Sequence, residues 1–227
     1  MNNPAPEINQ DKQPSRYHAV ARALVGVGQS FYGRGWVLGT SGNFSVMVSF
    51  EPFRLAITAS GVNKGALAPD DILQVGGDGE LVRGNGRPSD ETKLHLTVIK
   101  VRGAVAVLHT HSVWSTMLSE AFADAGGLYI EGYEMLKGLA GVRTHEHREW
   151  LPVIENSQDI EALSGSLEEA LVRHPESHGV LLRRHGLYTW GHDLIEAVRH
   201  VEILEFLLEV VGRTYCAQGQ VSGMKGR

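Results

Sequence analysis

A single cysteine, Cys216, is all the 227-residue chain carries. That excludes an intramolecular disulfide and fits a reducing compartment. No apolar run approaches the roughly 20 residues a membrane-spanning helix needs, and the opening "MNNPAPEINQDKQPS" lacks both the basic and the apolar region of a secretory signal. Runs of like charge are missing too, and a formal net charge of −5 offers nucleic acid or an acidic membrane little to hold. There is no G-x-x-x-x-G-K-S/T nucleotide loop, no Pro/Ser-rich linker through the middle and no internal repeat. With 42% hydrophobic and 21% charged residues, the composition is that of an ordinary globular chain. The expectation is one soluble, cytoplasmic domain over 15–216, between polar tails at 1–14 and 217–227 that read as disordered and flexible.

What is present alternates between helix and strand signals. "SRYHAVARALVGVGQSFYGRG" spaces Val20, Leu24, Val27 and Phe31 along one helical face and ends in glycines. "NFSVMVSF" and "FRLAITAS" are strand-like and joined by a turn at Pro52, and "ILQV" and "ELV" flank the hairpin signal "GGDG". A helix is expected from about Glu91 to Arg102, then a short buried strand at "AVAVLH", a helix through "VWSTMLSE", a short helix in "EGYEMLKGLA" and a strand at "WLPVIE". "SQDIEALSGSLEEALVRH" reads as a helix with Ser157 as its N-cap. "GVLLRRHGLYTWG" makes two strands broken at Gly186, and a long periodic helix follows Asp193. Short turns between the early strands and helices between the later ones imply an α/β fold, a mixed sheet sandwiched by helices.

Histidines at the ends of apolar runs are the first sign of chemistry. Alternation along the strand "AVAVLHTH" sends His109 and His111 to the same face. A divalent ion could sit there; an exposed or hydrogen-bonded pair at a strand end explains the spacing equally well. His185 also ends an apolar run, so it is either a third ligand or an ordinary structural histidine. Three imidazoles with an open position would make a catalytic pattern, leaving the ion its full charge to polarise a carbonyl or stabilise an enediolate. The rival pair His145 and His147, in "THEHREW", lies among charges with no apolar run before it. A polar loop is expected there, touching substrate or a neighbouring subunit. The remaining histidines, His95 and His178 among them, read as structural.

Three Gly/Ser stretches, "TSGNFS", "TASGVNKG" and "RPSDE", fall near element ends. Their backbone N–H groups, Ser hydroxyls and Asn amide could cradle an anion, with Lys64 adding a charge; each alone is a common turn. Two carboxylates stand out. Glu91 is explained by the dipole of the helix it starts, or else acts at the site. Glu134, in "GYEMLKG", is a general acid/base with an apolar flank or a solvated helix residue.

"TSGNFS", "TASGVNKG", "RPSDETKLH", "GAVAVLHTHS" and "RRHGLYTWG" follow one another in the order seen in class II aldolases. Over roughly residues 15 to 213 the chain resembles the class II aldolase and adducin-like family. "EGYEMLKGLAGVRTHEHREWLPVIEN" resembles the branch of that family that dehydrates 5-methylthioribulose 1-phosphate in methionine salvage. The resemblance implies a three-layer α/β/α sandwich with a central mixed, mostly antiparallel sheet. It implies a lyase acting on a small phosphorylated ketose, with zinc, one per subunit, on His109, His111 and His185. Substrate phosphate would lie on Asn43, Ser60, Gly61 and Ser89 with Lys64 nearby, and Glu134 would be the acid/base. Glu91 matches the carboxylate that aldolases use beside the metal. A homotetramer with sites near subunit boundaries is implied as well. Two other readings stand beside this one: an aldolase or epimerase acting on another phosphorylated ketose, and a non-catalytic binding domain such as the adducin head, which lacks the metal histidines.

Overall fold

The computed structural model describes residues 16–224, so the tail expected at 1–14 lies outside the described residues. α1 (Arg16–Gly33) forms where Tyr17, Ala21, Leu24, Gly28 and Phe31 recur at helical spacing and are buried, with Val20 and Val27 at the margin of that stripe. β1 (Asn43–Phe50) and β2 (Phe53–Thr58) turn at Pro52 and pair antiparallel, Ser45 opposite Ile57. β3 (Ile72–Val75) and β4 (Leu81–Arg83) form the hairpin around the glycines. α2 (Thr92–Arg102) follows, then β5 (Ala106–Thr110), all of whose residues are buried. In α3 (Val113–Ala121) the first turn is capped by Ser112 Oγ, which accepts from the Ser115 N–H.

The second half contains β6 (Gly127–Glu131), a 3₁₀ turn at Glu134–Gly138, β7 (Arg148–Ile154), α4 (Ile160–Arg173), β8 (Gly179–Leu182), β9 (Gly186–Gly191) and α5 (Leu194–Met224). The short helix expected in "EGYEMLKGLA" is a 3₁₀ helix at Glu134–Gly138. Three points differ from the sequence reading. β6 was not anticipated: it is a short strand that pairs only with β7, at the edge of the sheet. α4 is capped by Asp159, whose carboxylate accepts from both Glu161 and Ala162 N–H groups at 3.1 Å, while Ser157 Oγ accepts from the Asp159 N–H, two residues too early to cap. α5 continues to Met224, past the boundary expected at 216.

The nine strands lie in the order β4-β3-β2-β1-β5-β9-β8-β7-β6, and only the β7–β8 pair is parallel. The sheet is therefore mixed and mostly antiparallel. α2 and α4 cover one face, packing Leu94, Val98, Leu163 and Leu167 on Ile57, Val107 and Val180. α1 and α5 cover the other, where Leu24, Phe31, Ala197 and Val201 meet Phe44, Val46 and Leu108. α3 joins α5 there over β6 to β9, through Leu118, Leu187 and Leu204. This is the expected three-layer α/β/α sandwich. No helix among the described residues is long and apolar enough to cross a membrane.

Candidate active site

β5 lies between β1 and β9, and this neighbourhood builds the site. His109 is opposite Asn43 on one side and Tyr188 on the other. His111 leaves the end of β5, and His185 sits in the β8–β9 turn. One ring nitrogen from each of His109, His111 and His185 lies within 4.8 Å of the others, with His109 Nε2 3.3 Å from His185 Nε2. His109 Nδ1 donates to the Leu187 carbonyl at 3.0 Å, which fixes the tautomer and turns the Nε2 lone pair toward its neighbours. The Tyr188 ring stacks on His109 at 4.0 Å and holds its plane. His111 Nε2 is buried without a hydrogen-bond partner.

Burial, reinforced for His109 and His111 by repulsion between the imidazoles, depresses the proton affinity of the triad. His111 falls to about 3, His109 lies well below the ordinary range and His185 is lowered, the last against the opposing pull of Glu91. Three neutral, converging imidazoles, with His111 Nε2 and His185 Nδ1 both buried and unpartnered, are suited to a divalent ion.

Close approach at this point demands glycine after His185. A Cβ on Gly186 would stand 2.0 Å from the Thr110 carbonyl oxygen and 3.2 Å from His109 Cε1. Arg184, just before His185, has a left-handed φ of 56°, an uncommon conformation for a residue with a side chain. Its N–H is held by Ser119 Oγ and its guanidinium by Glu120.

Glu91 enters the same space. It stands at the N-cap of α2 yet makes no capping hydrogen bond. Its carboxylate instead reaches 3.3 Å from His185 Nε2 and 3.6 Å from His109 Nε2, and accepts from Asn43 Nδ2 at 2.5 Å. The helix-dipole explanation of Glu91 therefore gives way to a place among the histidines. Asn43 is itself oriented from behind: its Oδ1 is hydrogen-bonded by His95 Nε2, and His95 Nδ1 accepts from Ser45 Oγ at 2.7 Å. Burial lowers His95 to about 3, so the ring is neutral with its one proton on Nε2. A buried chain thus runs from Ser45 through His95 and Asn43 to Glu91, and nothing in the spacing of these residues announced it.

The five residues expected to hold phosphate converge. Asn43, Ser60, Gly61, Lys64 and Ser89 line one pocket of about 110 Å³, together with Glu91 and His111. Gly61 has φ +74° in a tight turn and leaves open space where a Cβ would be. Lys64 is 1% exposed, and Nζ donates to the carbonyls of Val62 at 2.8 Å and Thr40 at 3.2 Å. Burial pulls its affinity for a proton down to about 8, against the carboxylates of Asp71 and Glu91.

Glu134 is elsewhere. Its side chain is 72% exposed, paired with Lys137 at 2.5 Å and lying 3.8 Å from His145, and the Lys137 contact holds its carboxyl below the ordinary range. The partly apolar surroundings expected of it are not supplied within this chain. His145 and His147 also stand apart from the triad; His147 contacts Glu149, and Glu149 contacts His178.

Known proteins share this arrangement of elements. The class II aldolase and adducin N-terminal domain family matches residues 22–211. Methylthioribulose-1-phosphate dehydratase of Marinobacter nauticus is 42% identical over 196 residues, covering 86% of this chain and 93% of that protein. The protein of the same name from Methylococcus capsulatus is 43% identical over 202 residues, covering 88% of this chain and 97% of its own. Among solved structures, L-fuculose-1-phosphate aldolase from Thermus thermophilus superposes with a TM-score of 0.71 at 28% identity, over 89% of this chain and 98% of that one. The chain belongs to the class II aldolase and adducin N-terminal domain family.

Proposed function

We propose that this protein is a lyase that removes water from 5-methylthioribulose 1-phosphate, giving 2,3-diketo-5-methylthiopentyl 1-phosphate in cytoplasmic methionine salvage. The observation that carries the reading is the junction of three neutral, buried imidazoles with Glu91 at the mouth of a pocket lined by Asn43, Ser60, Gly61, Lys64 and Ser89. The names of the relatives from Marinobacter nauticus and Methylococcus capsulatus support the choice of substrate.

His109, His111 and His185 would hold one zinc, and when bound it would supply a Lewis acid for a substrate carbonyl. The pocket takes the 1-phosphate: Lys64 has three N–H groups, two are committed to carbonyls, and the third is left for a phosphate oxygen. That anchoring places C2 and C3 beside the histidines and C3–H beside Glu91. Glu91, oriented by Asn43, accepts the C3 proton. The C4 hydroxyl then leaves as water after receiving a proton, and the resulting enol tautomerises to the diketone.

Glu134 supplies that proton from a neighbouring subunit of a homotetramer. Its exposure, and its place outside the pocket of its own chain, support a role across a subunit boundary. Burial by the partner would raise its proton affinity toward the working range.

The deciding experiment is incubation of the zinc-loaded protein with 5-methylthioribulose 1-phosphate, followed by carbon NMR and mass spectrometry. Loss of one water with the carbon chain intact is the expected result. Two fragments would make the protein an aldolase, and an unchanged mass with altered configuration an epimerase. No turnover of any phosphorylated ketose would point to a binding domain.

A further inference from the structure

At the opposite end of β8 from His185, a second set of metal-binding side chains converges. Glu149 points inward from β7 and is 1% exposed. Its Oε2 lies 2.8 Å from His147 Nε2 and 2.9 Å from His178 Nδ1. Its Oε1 accepts from the His178 backbone N–H at 2.8 Å, so the carboxylate cannot swing away. His178 Nε2 donates to the Ala140 carbonyl at 2.8 Å, which leaves Nδ1 as the nitrogen aimed at Glu149. The three donor atoms lie within 4.8 Å of one another. β8 (Gly179–Leu182) separates His178 from the turn carrying His185, roughly 13 Å of strand at about 3.3 Å per residue.

We infer that His147, Glu149 and His178 form a second site for a divalent transition metal ion, distinct from the triad. Two imidazoles and a carboxylate are a donor set that binds zinc and leaves a fourth position open. That position has somewhere to face: a cavity of about 470 Å³ is lined by His147 and His178 together with Arg102 and His200.

The geometry needs little change to accept an ion. Donor atoms about 2.0–2.1 Å from a tetrahedral ion stand roughly 3.3 Å apart, so the two spacings from Glu149 Oε2 must open by about 0.5 Å. His147 is on the loop ahead of β7 with its side chain 28% exposed, and can supply that movement. The bound ion would pin the loop between Glu134 and β7 onto β8, because Ala140 is already tied to His178 and, through its N–H, to His200 Nε2 at 3.0 Å. A neighbour of the catalytic turn would thereby gain a fixed anchor.

The test is titration of the metal-free protein with Co²⁺, reading stoichiometry by calorimetry and ligand field by visible absorption. Wild type is expected to take two equivalents, His111→Ala one, His147→Ala one, and the double variant none. Glu149→Gln, which keeps the shape of the side chain, should match His147→Ala; circular dichroism shows which variants are folded, and His147→Ala decides should Glu149→Gln unfold. Equal stoichiometry in wild type and His147→Ala overturns the second site. Failure of the triad looks different: wild type would then bind one equivalent, unaffected by His111→Ala and abolished by His147→Ala.

Discussion

Replacing Lys64 with Met keeps the length and apolar stem of the side chain and deletes its charge. Lys64 is buried in the small pocket with two of its N–H groups on carbonyls, so what the substrate loses is one charge-assisted hydrogen bond. Such a bond contributes about 1.5–3 kcal/mol, which corresponds to a rise in KM of roughly 10- to 150-fold. kcat should change far less, because the phosphate is remote from the carbons that react. The pH dependence gives a second reading. The amine is held near 8, so it is charged below that pH and neutral above it. Wild-type kcat/KM should therefore fall as pH rises through about 8 and level off at the Lys64→Met value, while the variant lacks this limb. An ion on the triad repels the ammonium and can only move the limb to lower pH. Steady-state kinetics from pH 6 to 10 on both proteins settle the matter. An unchanged KM, or an alkaline limb of equal size in the variant, would refute Lys64 as the phosphate cation.

Three further outcomes are expected. Glu91→Gln should lower kcat by about 10²–10⁴-fold, the usual scale for general acid–base catalysis, with triad metal content unchanged. Glu134→Gln should be similarly impaired, and mixed tetramers of Glu134→Gln with His111→Ala should regain activity if Glu134 acts across the subunit boundary; no recovery would return Glu134 to its own subunit or remove it from the reaction. Glu205 is buried behind β5 with Thr110 Oγ1 donating to it, and burial raises its carboxyl from 4.5 to about 7. The folded state therefore holds this proton more tightly than the unfolded chain, so stability is greatest below 4.5 and is lost as pH rises through 7, by about 3 kcal/mol. Urea denaturation at fixed protomer concentration should find Glu205→Gln close to wild type near pH 5 and about 3 kcal/mol more stable above pH 8; parallel curves would show that Glu205 does not titrate in this range.

His109, His111 and His185 were legible because strand alternation and strand ends are written in the order of residues. The same holds for the layered fold, whose helices and hairpins carry their periods and turns in short stretches. Contacts between distant segments are not written that way. "GVNKG" says nothing of the Thr40 carbonyl, 24 residues back, that helps hold Lys64 in place. Glu91 looked like a dipole partner because its true partner, Asn43, is 48 residues earlier and reaches it only once β1 pairs with β5. Glu149 was read as part of a polar loop, yet it belongs to β7, where it shares the inward face with Leu151. Its neighbour His178 could be found only after β7 and β8 were known to be adjacent. Glu134 shows the converse, since its apolar flank, Leu136, packs inward while the carboxylate itself stays in solvent.

β5 keeps its position in the sheet through apolar side chains on both of its faces. Ala106 and Leu108 face one core and Val107 the other, and the strand continues directly into His109. Slippage by a single residue would exchange the faces, turning both imidazoles away and presenting Thr110 and Ser112 in their place. It would also break the alignment of His109 with Asn43 and Tyr188. Alanine, valine and leucine in this strand thus act as a ruler for the histidines that follow. A change of apolar volume upstream is an indirect change in how the three imidazoles meet. Selection on this segment therefore reads two properties in one measurement, and a variant that keeps every polar group of the site can still lose it.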